Sequence, residues 1–281
     1  MLGHKLVQVL QNKFDLWATI RTKYTDYEKY GIYNRTQTIE NVDIEELILV
    51  ENAVNKLKPD VIVNAVGIVK QLPTSKNVIK TLIGNSIFPH QLSEISNRVG
   101  SRLITISTDC VFNGMKGNYC ESDVSDAFDL YGKSKYLGEV IADNCLTVRT
   151  SIIGRELNTS HGLVEWFLSN QGKRIEGYTR AVFSGFPTVV LADIISNLIE
   201  KHSELQGLFH VSSEPISKFD LLELVKHAYH ADVEIEAFED YKINRSLDST
   251  KFREATGFAP LGWTEMVERM AEDDILYRMN R

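Results

Sequence analysis

Tyr131-Gly132-Lys133-Ser134-Lys135 sets a phenol and an ammonium four residues apart. On a helix those two positions share a face. An ammonium one turn from a phenol favours the phenolate and lowers its pKa from about 10. A tyrosine so placed works as an acid or base nearer neutral pH. The same spacing also arises by chance on surface helices, so its meaning rests on context. Ser107-Thr108-Asp109 supplies that context at the end of a predicted strand. A hydroxyl there can reach the same crevice and hydrogen-bond a substrate carbonyl. The competing reading is a plain strand-end turn held by Asp109.

Two further stretches concern a dinucleotide. Met1-Leu2-Gly3-His4-Lys5-Leu6 reads as the tail of a strand, glycine loop and helix motif, whose helix N-terminus takes a pyrophosphate. Gly3 stands at the third glycine, with Leu2 beside it. After the next predicted strand comes Arg21-Thr22-Lys23, with no acid before Asp26. An acid there binds the ribose 2′-hydroxyl of NAD, whereas arginine suits the 2′-phosphate of NADP. Arg21 therefore favours NADP(H), with NAD(H) as the alternative. An ordinary solvated basic turn is the competing account. His227 and His230 lack a third ligand, so no metal site is expected.

The elements that must hold these residues alternate. Residues 1–12 carry apolar side chains at helical spacing, and 14–20 are strand-like. Helices are expected at 43–57, 75–99 and 127–143, and strands at 61–66, 103–107 and 145–149. Such alternation implies βαβ units and a parallel sheet, a Rossmann-like doubly wound α/β architecture. Ligands in these sheets sit beyond the carboxyl ends of the strands. After residue 150 the rhythm loosens. Residues 172–187 read as loop, helices follow at 189–202, 217–229 and 263–278, and short strands fall near 206–211 and 232–236. The expected division is a dinucleotide-binding part over 1–150 and a smaller α+β substrate lobe over 151–281, with interleaved segments.

Bulk properties bound the function. Of 281 residues 43% are apolar and 25% charged, near the globular average, which excludes a disordered or fibrous chain. A net charge of −7 argues against broad nucleic-acid binding. No apolar run approaches the roughly 20 residues a membrane helix needs. Three scattered cysteines and no secretory signal point to a reduced cytoplasm.

Together these residues resemble the extended short-chain dehydrogenase/reductase superfamily, and within it the dTDP-4-dehydrorhamnose reductases and related sugar-nucleotide-binding proteins. Five stretches carry the resemblance: Asn64 to Gly67; Ser107 to Gly114; Tyr131 to Lys135 with Gly138-Glu139; Phe183 to Thr188; and Arg245 to Asp248. The resemblance implies that Tyr131 protonates a sugar carbonyl, that Lys135 assists it and holds the nicotinamide ribose, and that Thr108 hydrogen-bonds the carbonyl oxygen. It implies cofactor contacts at Asp43, Ile44, Ala65, Val66, Gly67 and Asn85. It implies substrate contacts at Ser107, Asp109, Cys110, Val111, Phe112, Ser184, Gly185 and Arg245, the arginine being suited to a diphosphate. The implied activity is NADPH-dependent reduction of a nucleotide-linked 4-keto-6-deoxysugar in polysaccharide precursor synthesis. The alternatives are an epimerase or dehydratase with bound NAD, or a sugar-nucleotide-binding protein without catalysis. A homodimer fits the same resemblance.

Two departures qualify it. Cys110 stands where the related dehydratases carry Glu, which leaves dehydration without one member of its acid/base pair. The first strand and first two glycines of the dinucleotide motif are not in the chain. About ten residues are expected upstream of Met1 (one strand of ordinary length plus a loop).

Overall fold

Leu2, Leu6 and Leu10 fall on one helical face and are buried there. The computed structural model, which describes residues 1–70, 73–157, 159–273 and 277, accordingly opens on helix α1 (Leu2–Leu10). The first half continues with β1 (Ala18–Thr19), β2 (Thr38–Ile39), α2 (Leu47–Leu57) and β3 (Val61–Asn64). Next come α3 (Val78–Leu82), a π-helical segment (Ile83–Ile87), α4 (Phe88–Val99), β4 (Arg102–Thr108), α5 (Leu130–Leu137) and β5 (Cys145–Thr150). The second half holds β6 (Ile152–Ile153), α6 (Leu163–Leu168), β7 (Lys173–Tyr178), β8 (Ala181–Phe183), β9 (Phe186–Pro187), α7 (Thr188–Lys201) and β10 (Gly207–His210). It ends with β11 (Ile216–Ser217), α8 (Lys218–Tyr229), β12 (Val233–Phe238), β13 (Ile243–Asn244), α9 (Thr250–Thr256) and α10 (Trp263–Glu272).

The central sheet is parallel, in the order β10-β5-β4-β3. Both faces are covered. Ile104, Leu146 and Val148 pack against α1 and α7 through Leu6, Leu191 and Ile195. Leu103 and Cys145 point the other way, onto α2 and α4 through Val50, Leu92 and Ile95. Both faces of β4 and β5 are buried, polar residues included, as in a parallel sheet covered on both sides. β1 and β2 form a separate parallel pair. β10 and α7 join the first-half sheet although they follow residue 150. The remaining strands pair as β12 with β7, β6 with β9, and β11-β8-β13. They pack with α6, α8 and α10 around Phe167, Leu221, Val225 and Met270.

Several boundaries differ from expectation for local reasons. The helix expected over 127–143 is shorter. Asp129 caps its start by accepting from the Gly132 amide at 2.8 Å, and Gly138 ends it. The helix expected over 75–99 is interrupted by the π segment, which contains Gly84 and the buried Asn85. The strand expected over 14–20 shrinks to two residues. The stretch 172–187, expected as loop, carries β7, β8 and β9, with Ile175, Phe183 and Phe186 buried. The end of the helix expected over 263–278 includes 274–276 and 278, outside the described residues.

Gly138 lets the end of α5 touch the π segment. A Cβ there would lie 1.8 Å from the Asn85 carbonyl oxygen, which is backbone and cannot yield cheaply. Gly138→Ala is expected to cost about 1–3 kcal/mol, read as a lowered Tm in thermal denaturation. An unchanged Tm would contradict this contact.

Candidate active site

β4 ends in Ser107-Thr108, and α5 crosses beside that end. Gly132 makes the crossing close: a Cβ would lie 2.2 Å from the Cys110 carbonyl oxygen. Tyr131 and Lys135 therefore project against the strand end. Lys135 is buried and its Nζ donates to the Ile106 carbonyl at 2.7 Å. The Thr108 hydroxyl donates to Asp109 Oδ1 and accepts from the Cys110 amide, each at 3.1 Å, and stands within reach of the Tyr131 phenol. The three residues expected to act together, Thr108, Tyr131 and Lys135, converge.

Their protonation follows from burial. Burial, reinforced by Cys110, raises the Tyr131 pKa above the ordinary phenol value, while Thr108 opposes the rise. The lowering expected from the Tyr-x-x-x-Lys spacing is therefore not realised, and Tyr131 stands as a protonated donor. Lys135 is drawn down to about 8 by burial, with Glu139 opposing. The Cys110 thiol is pushed up to about 12 by burial and then by Asp109. Asp109 is raised by burial and restrained by Cys110 and Arg245.

Behind this surface lies a polar brace. Glu139 accepts from Ser107 Oγ and from Arg149 Nε and Nη2, each at 2.6 Å. Arg149 also meets His210 Nε2 at 3.1 Å, and His210 Nδ1 lies 2.9 Å from the Tyr119 carbonyl. Ser107, expected at the substrate, is thus engaged by Glu139. Val111 and Phe112, expected there too, are 0% exposed in a small core with Tyr119 and Leu247. Their side chains support the site from behind rather than reaching a ligand. Ser184 Oγ accepts from the Leu247 amide at 3.0 Å, and a Cβ on Gly185 would strike the Ser151 carbonyl at 2.0 Å. Both fasten neighbouring segments together. The guanidinium of Arg245 donates through Nε to the Phe112 carbonyl at 2.7 Å.

The expected dinucleotide side is also a built surface. A Cβ built on Gly3, in the first turn of α1, would meet the Ala65 methyl at 3.9 Å. Val66 and Gly67 are exposed. A Cβ on Gly67 would come within 3.4 Å of Asn85 Oδ1 and 4.0 Å of Lys135 Nζ. Asn85 holds this loop by accepting from the Ile68 amide at 2.8 Å and donating to its carbonyl at 2.9 Å and to Ser134 Oγ at 3.2 Å. Ile44 packs near Gly84, Asp43 is half-buried, and Arg21 is exposed. An open glycine shelf and a buried lysine at its edge fit a nicotinamide dinucleotide.

Sequence reasoning missed two groups. Arg149 carries no motif and acquires meaning only from β4–β5 pairing, which sets it opposite Ser107. Lys218, at the start of α8, has its ammonium 4.4 Å over the Phe183 ring and within electrostatic range of Asp109 and Cys110. Its signal was a lysine in a first helical turn, where the helix dipole disfavours a cation. Removing Glu139 would leave Arg149 buried without its carboxylate. Glu139→Ala is expected to cost about 3–5 kcal/mol in chemical denaturation, and a loss below about 1 kcal/mol would contradict the brace.

Comparison with known proteins follows the geometry. Spore coat polysaccharide biosynthesis protein SpsK of Bacillus subtilis is 30% identical over 64% of this chain and 64% of its own length, so the match spans a little under two thirds of that relative. A dTDP-4-dehydrorhamnose reductase of Aggregatibacter actinomycetemcomitans is 25% identical over 82% of this chain and 86% of its own length. A hypothetical dTDP-4-dehydrorhamnose reductase of Sulfolobus tokodaii superposes with a TM-score of 0.76 at 25% identity, covering 93% of this chain and 94% of that one. WbmG of Bordetella bronchiseptica, solved with NAD and UDP, shares the fold with a TM-score of 0.79 at 15% identity, over 99% of this chain and 92% of that one. No helix among the described residues is long and apolar enough to cross a membrane. With its sheet, its Tyr-x-x-x-Lys helix and a match across residues 1–275, the chain belongs to the RmlD substrate binding domain family.

Proposed function

We propose that the chain is an NADPH-dependent reductase of a nucleotide-linked 4-keto-6-deoxysugar, acting in polysaccharide precursor synthesis. The observation that carries this reading is the convergence of Thr108, Tyr131 and Lys135 beside the open shelf at Gly67. Relatives named dTDP-4-dehydrorhamnose reductase support the reaction class, as does a structural neighbour from Bacillus anthracis solved with NADP.

In this reading the α1 N-terminus with Leu2 and Gly3, the 65–67 shelf, Asp43, Ile44 and Lys135 hold the dinucleotide, and Arg21 meets its 2′-phosphate. When bound, NADPH supplies a hydride. Thr108 orients the sugar carbonyl through its hydroxyl. Tyr131, held protonated by its burial, gives its proton to the carbonyl oxygen as the alkoxide forms. The Lys135 charge stabilises the phenolate left behind. Asp109, Cys110 and Arg245 line the substrate side, and Ser184 and Gly185 keep its wall in place. A thiol pushed up to about 12 is a poor acid/base near neutrality, which disfavours dehydration at Cys110.

Tyr131→Phe should lower turnover of NADPH with a dTDP-4-keto-6-deoxysugar by about 10²–10⁴-fold, with NADPH affinity retained in fluorescence titration. Turnover unaffected by the change would sink the proposal. Lys135 is protonated below about pH 8 and neutral above it, so kcat/KM should fall as pH rises through about 8. A profile flat through that range would contradict the role of Lys135.

A further inference from the structure

His210, Arg149 and Ser107 stand in one row across three strands. β10 pairs with β5 to set His210 opposite Arg149, and β5 pairs with β4 to set Arg149 opposite Ser107. Neighbours in register on paired strands share a face of the sheet. Glu139, just past α5, closes the row by accepting from Ser107 Oγ and from two Arg149 nitrogens. His210 is 0% exposed and Arg149 2%, so the row is shut off from bulk solvent.

The partners leave His210 one protonation state. Arg149 Nη1 lies 3.1 Å from His210 Nε2, and a guanidinium only donates, so Nε2 carries a lone pair. His210 Nδ1 lies 2.9 Å from the Tyr119 carbonyl, which only accepts, so Nδ1 carries the proton. The ring is therefore the neutral Nδ1–H tautomer. A proton on Nε2 would turn the acceptor into a donor and set an imidazolium against the guanidinium. Arg149 would be pushed from its place, and Glu139 would lose the fork that holds it on Ser107. The surrounding charges do not reverse this. Burial is the largest influence and lowers the His210 pKa below the ordinary histidine value, Arg149 adds to the lowering, and Glu121 opposes it. The Glu121 carboxylate accepts from the His210 amide at 2.8 Å, and Asp248 stands within electrostatic range. On α9, Lys251 is spent on the Leu208 carbonyl at 2.7 Å and Arg253 on Glu214 at 2.9 Å.

We propose that neutral His210 is a positioning residue for the reaction: by accepting from Arg149 it keeps Glu139 on Ser107 and so fixes residues 106–108 against Tyr131 and Lys135. This assignment deepens the reading of the chain as a sugar-nucleotide reductase, and its kinetic part rests on that reading. Ser107 separates the Ile106 carbonyl, which receives Lys135 Nζ, from the Thr108 hydroxyl. Glu139 also favours the charged form of Lys135, so a displaced carboxylate would disturb both position and charge. Buried hydrogen-bond networks of this kind act as units, and small displacements of reacting groups are costly in rate.

The test compares the unsubstituted chain with His210→Gln and His210→Leu. Glutamine offers Arg149 an acceptor and cannot ionise, whereas leucine offers none. With NADPH and a dTDP-4-keto-6-deoxysugar at neutral pH, His210→Leu should lose about 10–100-fold in kcat, with KM and NADPH affinity nearly unchanged. His210→Gln should recover most of that loss. In the unsubstituted chain kcat should fall reversibly as pH drops below the ordinary histidine value of about 6.5, and His210→Gln should lack this fall. Full kcat in His210→Leu, or the same acid fall in His210→Gln, would overturn the assignment alone. Long-range proton–nitrogen NMR of the unsubstituted chain, with the His210 signals identified by their absence from His210→Gln, reads the tautomer independently of turnover. Nδ1–H at neutral pH is expected, and an Nε2–H tautomer or an imidazolium there would overturn the assignment even if His210→Leu failed to fold. Failure of the unsubstituted chain to turn over any such sugar would overturn the functional reading and the kinetic role of His210 with it.

Discussion

Two absent side chains set how closely α5 can approach its surroundings. At Gly132 the helix lies against the Cys110 carbonyl, and at Gly138 against the Asn85 carbonyl. Neither partner is a flexible side chain that could move aside, so any Cβ would push the helix outward. The candidate chemistry depends on that spacing. It lets Lys135 reach the Ile106 carbonyl and brings the Tyr131 phenol toward Thr108 from one rigid element. Groups held on a packed helix and a central strand keep their geometry better than groups on loops.

The same closeness explains the electrostatics. Burial raises Tyr131 and Cys110 and lowers Lys135, so the site favours neutral donors over free charges. Charge is instead concentrated in the Glu139–Arg149 pair behind the strand end, where bidentate geometry and Ser107 satisfy the carboxylate. That brace touches Ser107, between the carbonyl that holds Lys135 and the hydroxyl that meets Tyr131. It links β4, β5, β10 and the turn after α5 beside the candidate catalytic groups.

Much of this was legible in the residues, and the limits have physical causes. The parallel sheet was readable because strand-like and helix-like segments alternate along the first half, the pattern that βαβ units impose. Tyr131, Lys135 and Thr108 were readable because helical spacing and strand-end position translate directly into a shared crevice. The short strands of the second half were harder. β8, β9 and β11 are only two or three residues long, too short for a period of two to emerge. Val111 and Phe112 sit within a stretch expected to face a ligand, yet their side chains point into a small core, and motif membership does not encode direction. Arg149 was invisible because its partner, Glu139, is supplied by a tertiary contact.

The most direct test of the central claim follows the hydride itself. NADPH deuterated at the transferable position of the nicotinamide would be incubated with a dTDP-4-keto-6-deoxysugar and the chain, and the sugar product analysed by mass spectrometry and NMR. The account predicts one deuterium per product molecule, on the former carbonyl carbon, with stoichiometric NADP⁺. Product free of deuterium, or sugar turned over without net consumption of NADPH, would contradict it.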